Sequence, residues 1–306
     1  MKKRNLFSIG AMRAGSTTIY HYLSQHPDIF IPHIKEPDFF IAEQARHKLA
    51  EGQKTSIEIQ NLEYILNKGK YRTQTTYDSL YSNKEEFRYL ADCSHYLHHP
   101  ATAQLIYQYN PDAKILISLR NPTDRIYSEY MLYSRRGDLS EDFSEFIRKM
   151  LTKDGQHINT IDPDSRLEKG RYSILLRPWL QYFDKEQIKI IIFDELKSYF
   201  DEVCRDIYTW LGIDNTFKPE QIRAQRGGEP KSKILVHFFK SSKFLPPVLK
   251  KQMSASLRWK IRDFIYSKTL TRQNMSQEME LLLKELYLPS ICELEVLLNK
   301  NFSKWK

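Results

Sequence analysis

The stretch FSIGAMRAGSTTIYHYLSQHP, Phe7–Pro27, decides how the rest of the chain is read. The apolar run Leu6–Ile9 reads as a strand, Gly10 ends it, small residues follow, and a helical stretch begins at Ser16. Strand, small-residue loop and helix together outline a phosphate-binding loop, in which backbone N–H groups and the positive end of the helix dipole face an anion. Gly10 and Gly15 have the spacing of the G-x-x-x-x-G-K-S/T pattern, but Ser16 stands where the lysine belongs, and the loop's own cation is Arg13. A nucleoside triphosphatase needs that lysine on its β- and γ-phosphates. The loop therefore predicts a phosphate held differently, with the cation moved inside the loop; an ordinary strand-to-helix turn of small residues is the alternative.

Further along the chain, nearly continuous apolar runs recur at Lys114–Leu119 (KILISL) and Ile188–Phe193 (IKIIIF), with Phe87–Asp92 as a fourth candidate. Such runs suit buried parallel strands. Helical patterns lie between them: Ser16–Gln25, Thr123–Arg135 behind Pro122, Tyr172–Phe183, and Glu195–Leu211 closed by Gly212. This alternation predicts an α/β fold, a P-loop-like central parallel β-sheet flanked by α-helices. Ligands then bind outside the carboxyl ends of the strands, where Gly10, Arg120 and Asp194 fall.

One domain is expected over residues 1–306. Gln44–Lys84 is polar and weakly periodic and reads as an insertion or acceptor-side region; residues 223–233, RAQRGGEPKSK, form a basic Gly- and Pro-containing loop. Gln277–Asn299 reads as a terminal helix broken or kinked at Pro289.

Composition narrows the class. At 41% hydrophobic and 13% aromatic, the chain has material for a sizeable core, which argues against a largely disordered protein. The formal charge of +9 favours an anionic partner. Cys93, Cys204 and Cys292 form no CxxC, so neither a disulfide framework nor a cysteine zinc site is expected, and reduced cytoplasmic thiols follow. Met1–Arg4 has the charge of a signal-peptide start, but the apolar stretch after it is short and broken by Arg13. No run of about 18 apolar residues predicts a membrane span.

Two further segments carry chemistry. IIIFDE, Ile190–Glu195, has the form of a hydrophobic strand ending in metal-binding acids, but Asp194 and Glu195 are equally the favoured first residues of a helix. LRNPTDRIYSEY, Leu119–Tyr130, puts Arg120 at a strand end and Ser128 about two turns into the following helix. Together they form a grip for one phosphate dianion.

With this pair of segments the sequence resembles the sulfotransferases that use 3′-phosphoadenosine-5′-phosphosulfate (PAPS), over nearly its whole length. It is most similar to the heparan-sulfate-type and bacterial branch. IGAMRAGSTTIYHYLSQHPDIF resembles that family's 5′-phosphosulfate loop and helix, KEPDFF (Lys35–Phe40) its catalytic-acid segment, and LRNPTDRIYSEY its 3′-phosphate segment. GRYSILLRPWLQYF (Gly170–Phe183) resembles its acceptor-side helix, RGGEPKSK (Arg226–Lys233) its nucleotide-covering loop, and LEVLLNKNFSKWK (Leu294–Lys306) its ending.

The resemblance implies PAPS as donor, no metal, and in-line transfer of a sulfuryl group to a hydroxyl or amine of a saccharide or small natural product, leaving 3′,5′-ADP. It implies no nucleic-acid partner, and a bacterial-type cytoplasmic enzyme. Arg13, Ala14, Gly15, Ser16, Thr17 and Thr18 would hold the 5′-phosphosulfate, Arg120 and Ser128 the 3′-phosphate, and Arg226, Gly227, Lys231 and Lys233 would cover the nucleotide. Arg13 takes the place usually filled by lysine; it can neutralise charge on the leaving oxygen but cannot donate a proton at ordinary pH. Glu36 matches the base, with Lys35 beside it and Asp38 at an acceptor-site position. His33, His95, His98 and His99 are alternative bases; Tyr20, Tyr22, Tyr96, Tyr172 and Trp179 are stacking surfaces or core.

One segment departs from the family pattern. ADCSHYLHHP, Ala91–Pro100, lacks the usual proline and has Asp92-Cys93 in place of the usual pair. Asp92 is open to three readings: a second carboxylate, a partner for a cationic acceptor, or a strand-end cap. Two other classes remain in view, a P-loop kinase or NTPase, and a non-catalytic basic protein that binds a polyanion with steep salt dependence.

Overall fold

Five short strands carry the fold: β1 (Leu6–Ser8), β2 (Ile29–Phe30), β3 (Tyr89–Asp92), β4 (Lys114–Leu119) and β5 (Ile188–Ile192). They form one parallel sheet in the order β2-β3-β1-β4-β5. The architecture is that of a computed structural model, in which residues 2–51, 56–67, 71–136, 138–139, 141–154, 166–221, 229–230, 270–271 and 275–306 are described. Register runs Leu6 opposite Ala91 on one side of β1 and opposite Lys114 on the other, with Ile115 opposite Ile188. Beyond Ser8 the ladder to β4 continues through the start of the loop, Ile9 N–H to Leu116 O at 3.0 Å and Ala11 N–H to Ser118 O at 2.6 Å. The phosphate-type loop is thus an extension of the central strand.

Alternation along the strands divides the core. Phe7, Ile115, Ile117 and Leu119 face one side, with helices α2 (Phe39–Ala50), α4 (Gln74–Ser79), α5 (Thr102–Tyr109), α6 (Pro122–Arg136) and α8 (Tyr172–Tyr182) contributing to that layer. Leu6, Leu116 and Ile191 face the other, against α1 (Ser16–Leu23), α9 (Phe193–Ser198) and α10 (Phe200–Leu211). Buried on both faces, such strands read as unbroken apolar runs. Helices α3 (Ser56–Asn67), α7 (Phe143–Asp154) and α11 (Gln277–Leu298) complete the long elements among the described residues. A separate antiparallel pair joins β6 (Glu229–Pro230) to β7 (Leu270–Thr271).

Two expectations change. Glu195–Leu211 is two helices, α9 and α10, which meet at Tyr199, whose ψ of 52° departs from helical geometry. The terminal helix is continuous through Pro289. Proline there forfeits one helical hydrogen bond, but Leu283, Tyr287, Ile291 and Leu294 bury one face against the core and hold the helix through it. The span 44–84, polar by composition, supplies Tyr77 and Tyr81, both fully buried. Of the loop 223–233, only residues 229 and 230 are described; Arg226, Gly227, Lys231 and Lys233 lie outside the described residues.

Candidate active site

The site lies at the carboxyl ends of β1, β3 and β4, starting with the loop after β1. Gly10, Arg13 and Gly15 have φ of 121°, 68° and 89°, so the chain reverses its curvature three times before α1. Glycine is needed at position 15 twice over. Besides its φ, an added Cβ would lie 2.7 Å from the Phe193 ring. The first helical turn is closed by Ile19 N–H to Gly15 O at 3.0 Å, which leaves the amides of Ser16, Thr17 and Thr18 pointing out of the helix N-terminus. His98 supports the loop from below, its Nε2 accepting the Met12 N–H at 3.2 Å. Burial holds the His98 imidazole well below its ordinary pKa, so it stays a neutral acceptor.

Arg13 folds across the opening. Its Nε and Nη2 both donate to Ser128 Oγ on α6, at 3.2 and 3.0 Å. Arg120, leaving β4, donates from Nη1 to Arg13 O at 3.3 Å, and its guanidinium lies over the Phe193 ring at 5.0 Å. Tyr172 locks this corner by donating its hydroxyl to Arg120 O at 2.9 Å. The cations assigned to the two ends of the nucleotide therefore form one connected group with the hydroxyl of Ser128.

The acid segment meets the loop through His95. Glu36 pairs with the ammonium of Lys35, and its Oε1 is 3.7 Å from His95 Nε2. The same His95 nitrogen is 3.3 Å from Ser16 Oγ. Burial pushes His95 down to about 4, against the pull of Glu36, so the imidazole between loop and carboxylate is neutral near pH 7. His99 is likewise pushed down to about 4, chiefly by burial and then by Lys169. Asp38 is raised to about 6 by burial, opposed by Arg72, whose Nη2 lies 3.4 Å from Asp38 Oδ2.

Three residues assigned to the acceptor from sequence turn inward. Asp92 is fully buried and accepts hydroxyl bonds from Tyr77 (2.7 Å), Ser94 (2.7 Å) and Tyr96 (2.8 Å). Tyr96 and Tyr172 are buried, and each donates its hydroxyl within the protein. Of the alternative bases, His33 is exposed. Asp194 and Glu195 lie in the first turn of α9 and pair with Lys197 and Lys300, each at 2.8 Å. Trp179 is core.

Sequence reasoning missed Lys169, Phe193 and Arg72. Lys169 sits on a short 3-10 turn, Glu168–Gly170, and its charge bears on His95, His98 and His99. It directly precedes the Gly170–Phe183 segment, and that adjacency was the available signal. Phe193 was hidden as the last apolar residue of a strand, and Arg72 in a polar stretch.

A parallel sheet, a loop-borne arginine bonded to Ser128 and a second arginine at a strand end make up the candidate site. The model of the Sulfotransferase family matches residues 5–218, and the chain belongs to that family. Carbohydrate sulfotransferase 15 of Homo sapiens is 23% identical over 249 residues, covering 68% of this chain and 44% of that protein. Bifunctional heparan sulfate N-deacetylase/N-sulfotransferase 1 of Caenorhabditis briggsae is 25% identical over 220 residues, covering 68% of this chain and 22% of that protein. The chain thus spans less than half the length of these curated relatives. A sulfotransferase of known crystal structure from Alicyclobacillus acidocaldarius superimposes with a TM-score of 0.69 at 26% identity, over 100% of this chain and 99% of that one.

Proposed function

We propose that the chain transfers a sulfuryl group from PAPS to a hydroxyl or amine of a saccharide or small natural product. The observation that carries this is that the loop meets both groups, Arg13 joining Ser128 and Arg120 to it, and Ser16 joining it to His95 beside Glu36. The saccharide part of the reading draws on the names of the curated relatives.

The residues fit a bisphosphorylated donor. The out-facing amides of Ser16, Thr17 and Thr18, with Ala14 and Gly15, suit the 5′-phosphosulfate, and Arg120 with Ser128 suits the 3′-phosphate. The nucleotide-covering roles of Arg226, Gly227, Lys231 and Lys233 rest on the resemblance alone. PAPS supplies the electrophilic sulfur and a phosphate leaving group. The acceptor oxygen or nitrogen attacks sulfur as the bond to the bridging oxygen breaks; its proton goes to Glu36, and the electron pair stays on the 5′-phosphate of 3′,5′-ADP. Arg13 stabilises that charge electrostatically and gives up no proton. Neutral His95 hydrogen-bonds the Ser16 hydroxyl and adds no charge beside Glu36.

The same reading carries a metal-independent reaction. It also carries a reducing, cytoplasmic setting, in keeping with three free cysteines. Among the described residues no helix is long and apolar enough to cross a membrane. Calorimetric titration tests the donor site. 3′,5′-ADP should bind without metal and more tightly than 5′-AMP or ATP–Mg²⁺. Preference for ATP–Mg²⁺, or no binding of 3′,5′-ADP, would overturn the assignment.

A further inference from the structure

We propose that Asp92 and Ser94 are positioning residues for the base, acting through the backbone of the turn that presents it; the inference rests on Glu36 being that base. Glu36 and Asp38 both have left-handed backbone, φ 62° and 53°, on either side of Pro37. Two residues with side chains in that region are strained, and such a turn persists only where its surroundings hold it.

The holding contacts come from two directions. From the end of β3, Cys93 O accepts the Glu36 N–H at 3.2 Å and Ser94 Oγ accepts the Asp38 N–H at 3.1 Å. From the far side, Arg72 Nη1 donates to Asp38 O at 2.6 Å. Ser94 is in turn fixed from within the core. Its one hydroxyl proton goes to Asp92 Oδ1 at 2.7 Å, so its lone pairs are left facing the Asp38 amide.

Asp92 is suited to this and to no direct contact with an acceptor. It has 0% exposure, and its other oxygen takes the hydroxyls of Tyr77 and Tyr96 at 2.7 and 2.8 Å. The three hydroxyl bonds hold the carboxylate in place and favour its charged form, opposing the burial that raises its pKa. The chain Asp92–Ser94–Asp38 N–H then sets the direction from which Glu36 meets the substrate. Displacement of a reacting group by about 1 Å costs on the order of 100-fold in rate, so a contact of this kind is read in turnover and not in donor affinity.

Turnover with labelled PAPS is compared in wild type, Ser94→Ala, Ser94→Thr and Arg72→Met, each also combined with Glu36→Gln. 3′,5′-ADP affinity and melting temperature are measured in parallel. Ser94→Ala should lower kcat about tenfold or more, with 3′,5′-ADP affinity unchanged; Ser94→Thr, which keeps the hydroxyl, should restore it. On the Glu36→Gln background, Ser94→Ala should have no further effect on the residual rate. Should Ser94→Ala fail to fold, Arg72→Met removes the other clamp on the same turn and should show the same coupling. Full activity of Ser94→Ala, or an equal loss with and without Glu36, overturns the inference while leaving the base assignment standing. Full activity of Glu36→Gln overturns the base assignment, and the inference with it.

Discussion

The guanidinium of Arg13 donates two hydrogen bonds to the single hydroxyl of Ser128, at 3.2 and 3.0 Å. The residue proposed to assist the leaving group and the residue proposed to bind the 3′-phosphate are thereby direct partners. A 3′-phosphate seated on Ser128 would accept the hydroxyl's proton while the oxygen still accepts from Arg13. Ser128→Ala should therefore weaken 3′,5′-ADP binding about tenfold, the worth of one hydrogen bond to a charged group, and leave 5′-AMP binding unchanged. Equal weakening of both ligands in calorimetry would place Ser128 elsewhere in the mechanism.

Arg13 itself is expected to act on the chemical step. Arg13→Met should lower kcat by about 100- to 1,000-fold, the scale of losing one electrostatic stabiliser. Arg13→Lys should recover much of that loss, since it keeps the charge and adds a dissociable proton. Single-turnover rates with saturating PAPS separate this from a change in binding.

Glu36→Gln should lower turnover by about 100-fold or more, as expected for loss of a general base. It should leave 3′,5′-ADP affinity intact, because the carboxylate pairs with Lys35 and lies 3.7 Å from His95. Retained turnover would remove Glu36 from the role.

Gly15→Ala should be damaging for two separable reasons. The φ of 89° is strained for any side chain, and the new methyl would collide with the Phe193 ring, 2.7 Å away. A loss of about 1–3 kcal/mol in stability is expected from backbone strain alone. Adding Phe193→Ala should relieve only the collision. Thermal denaturation of the single and double variants reads the two parts.

The buried histidines give a pH dependence of fixed sign. His95 and His99 are held down to about 4 from an ordinary 6.5. Between those values the unfolded chain binds more protons than the folded one, so their contribution is complete above pH 6.5 and is lost as pH falls toward 4. Asp38, raised from 3.8 to about 6, works the other way over much of the same range and offsets part of the slope. Melting temperature should climb from pH 4.5 to 6.5, and His99→Asn should flatten the rise. An unchanged slope would show that His99 titrates normally.

The sheet was legible in the sequence because strands buried on both faces leave long apolar runs, as at Lys114–Leu119 and Ile188–Ile192. β2, two residues long, leaves no such trace. The loop was legible because Gly10, Arg13 and Gly15 stand at spacings that few other structures need. Direction was not legible. Asp92, Tyr96 and Tyr172 are polar residues beside the site in sequence, but which way a side chain points depends on strand parity and helix phase. Their hydroxyl and carboxylate groups are satisfied inside. Lys169 left only the signal of its place just before Gly170–Phe183, since it comes to the histidines through the packing of a distant turn.

That packing ties the catalytic end of the molecule to its last helix. Gly170 lies flat against the Tyr287 ring, where an added Cβ would meet the ring at 2.6 Å, and the Tyr287 hydroxyl donates to Leu167 O at 2.9 Å. Tyr287 belongs to α11, well past the 5–218 span that the family shares. A fragment cut at residue 218 would keep Arg13, Glu36, Arg120 and Ser128, yet lose the wall against which Lys169 is set. On the proposed function, the matched segment alone would be a site without its foundation, since the terminal helix braces the turn that carries Lys169.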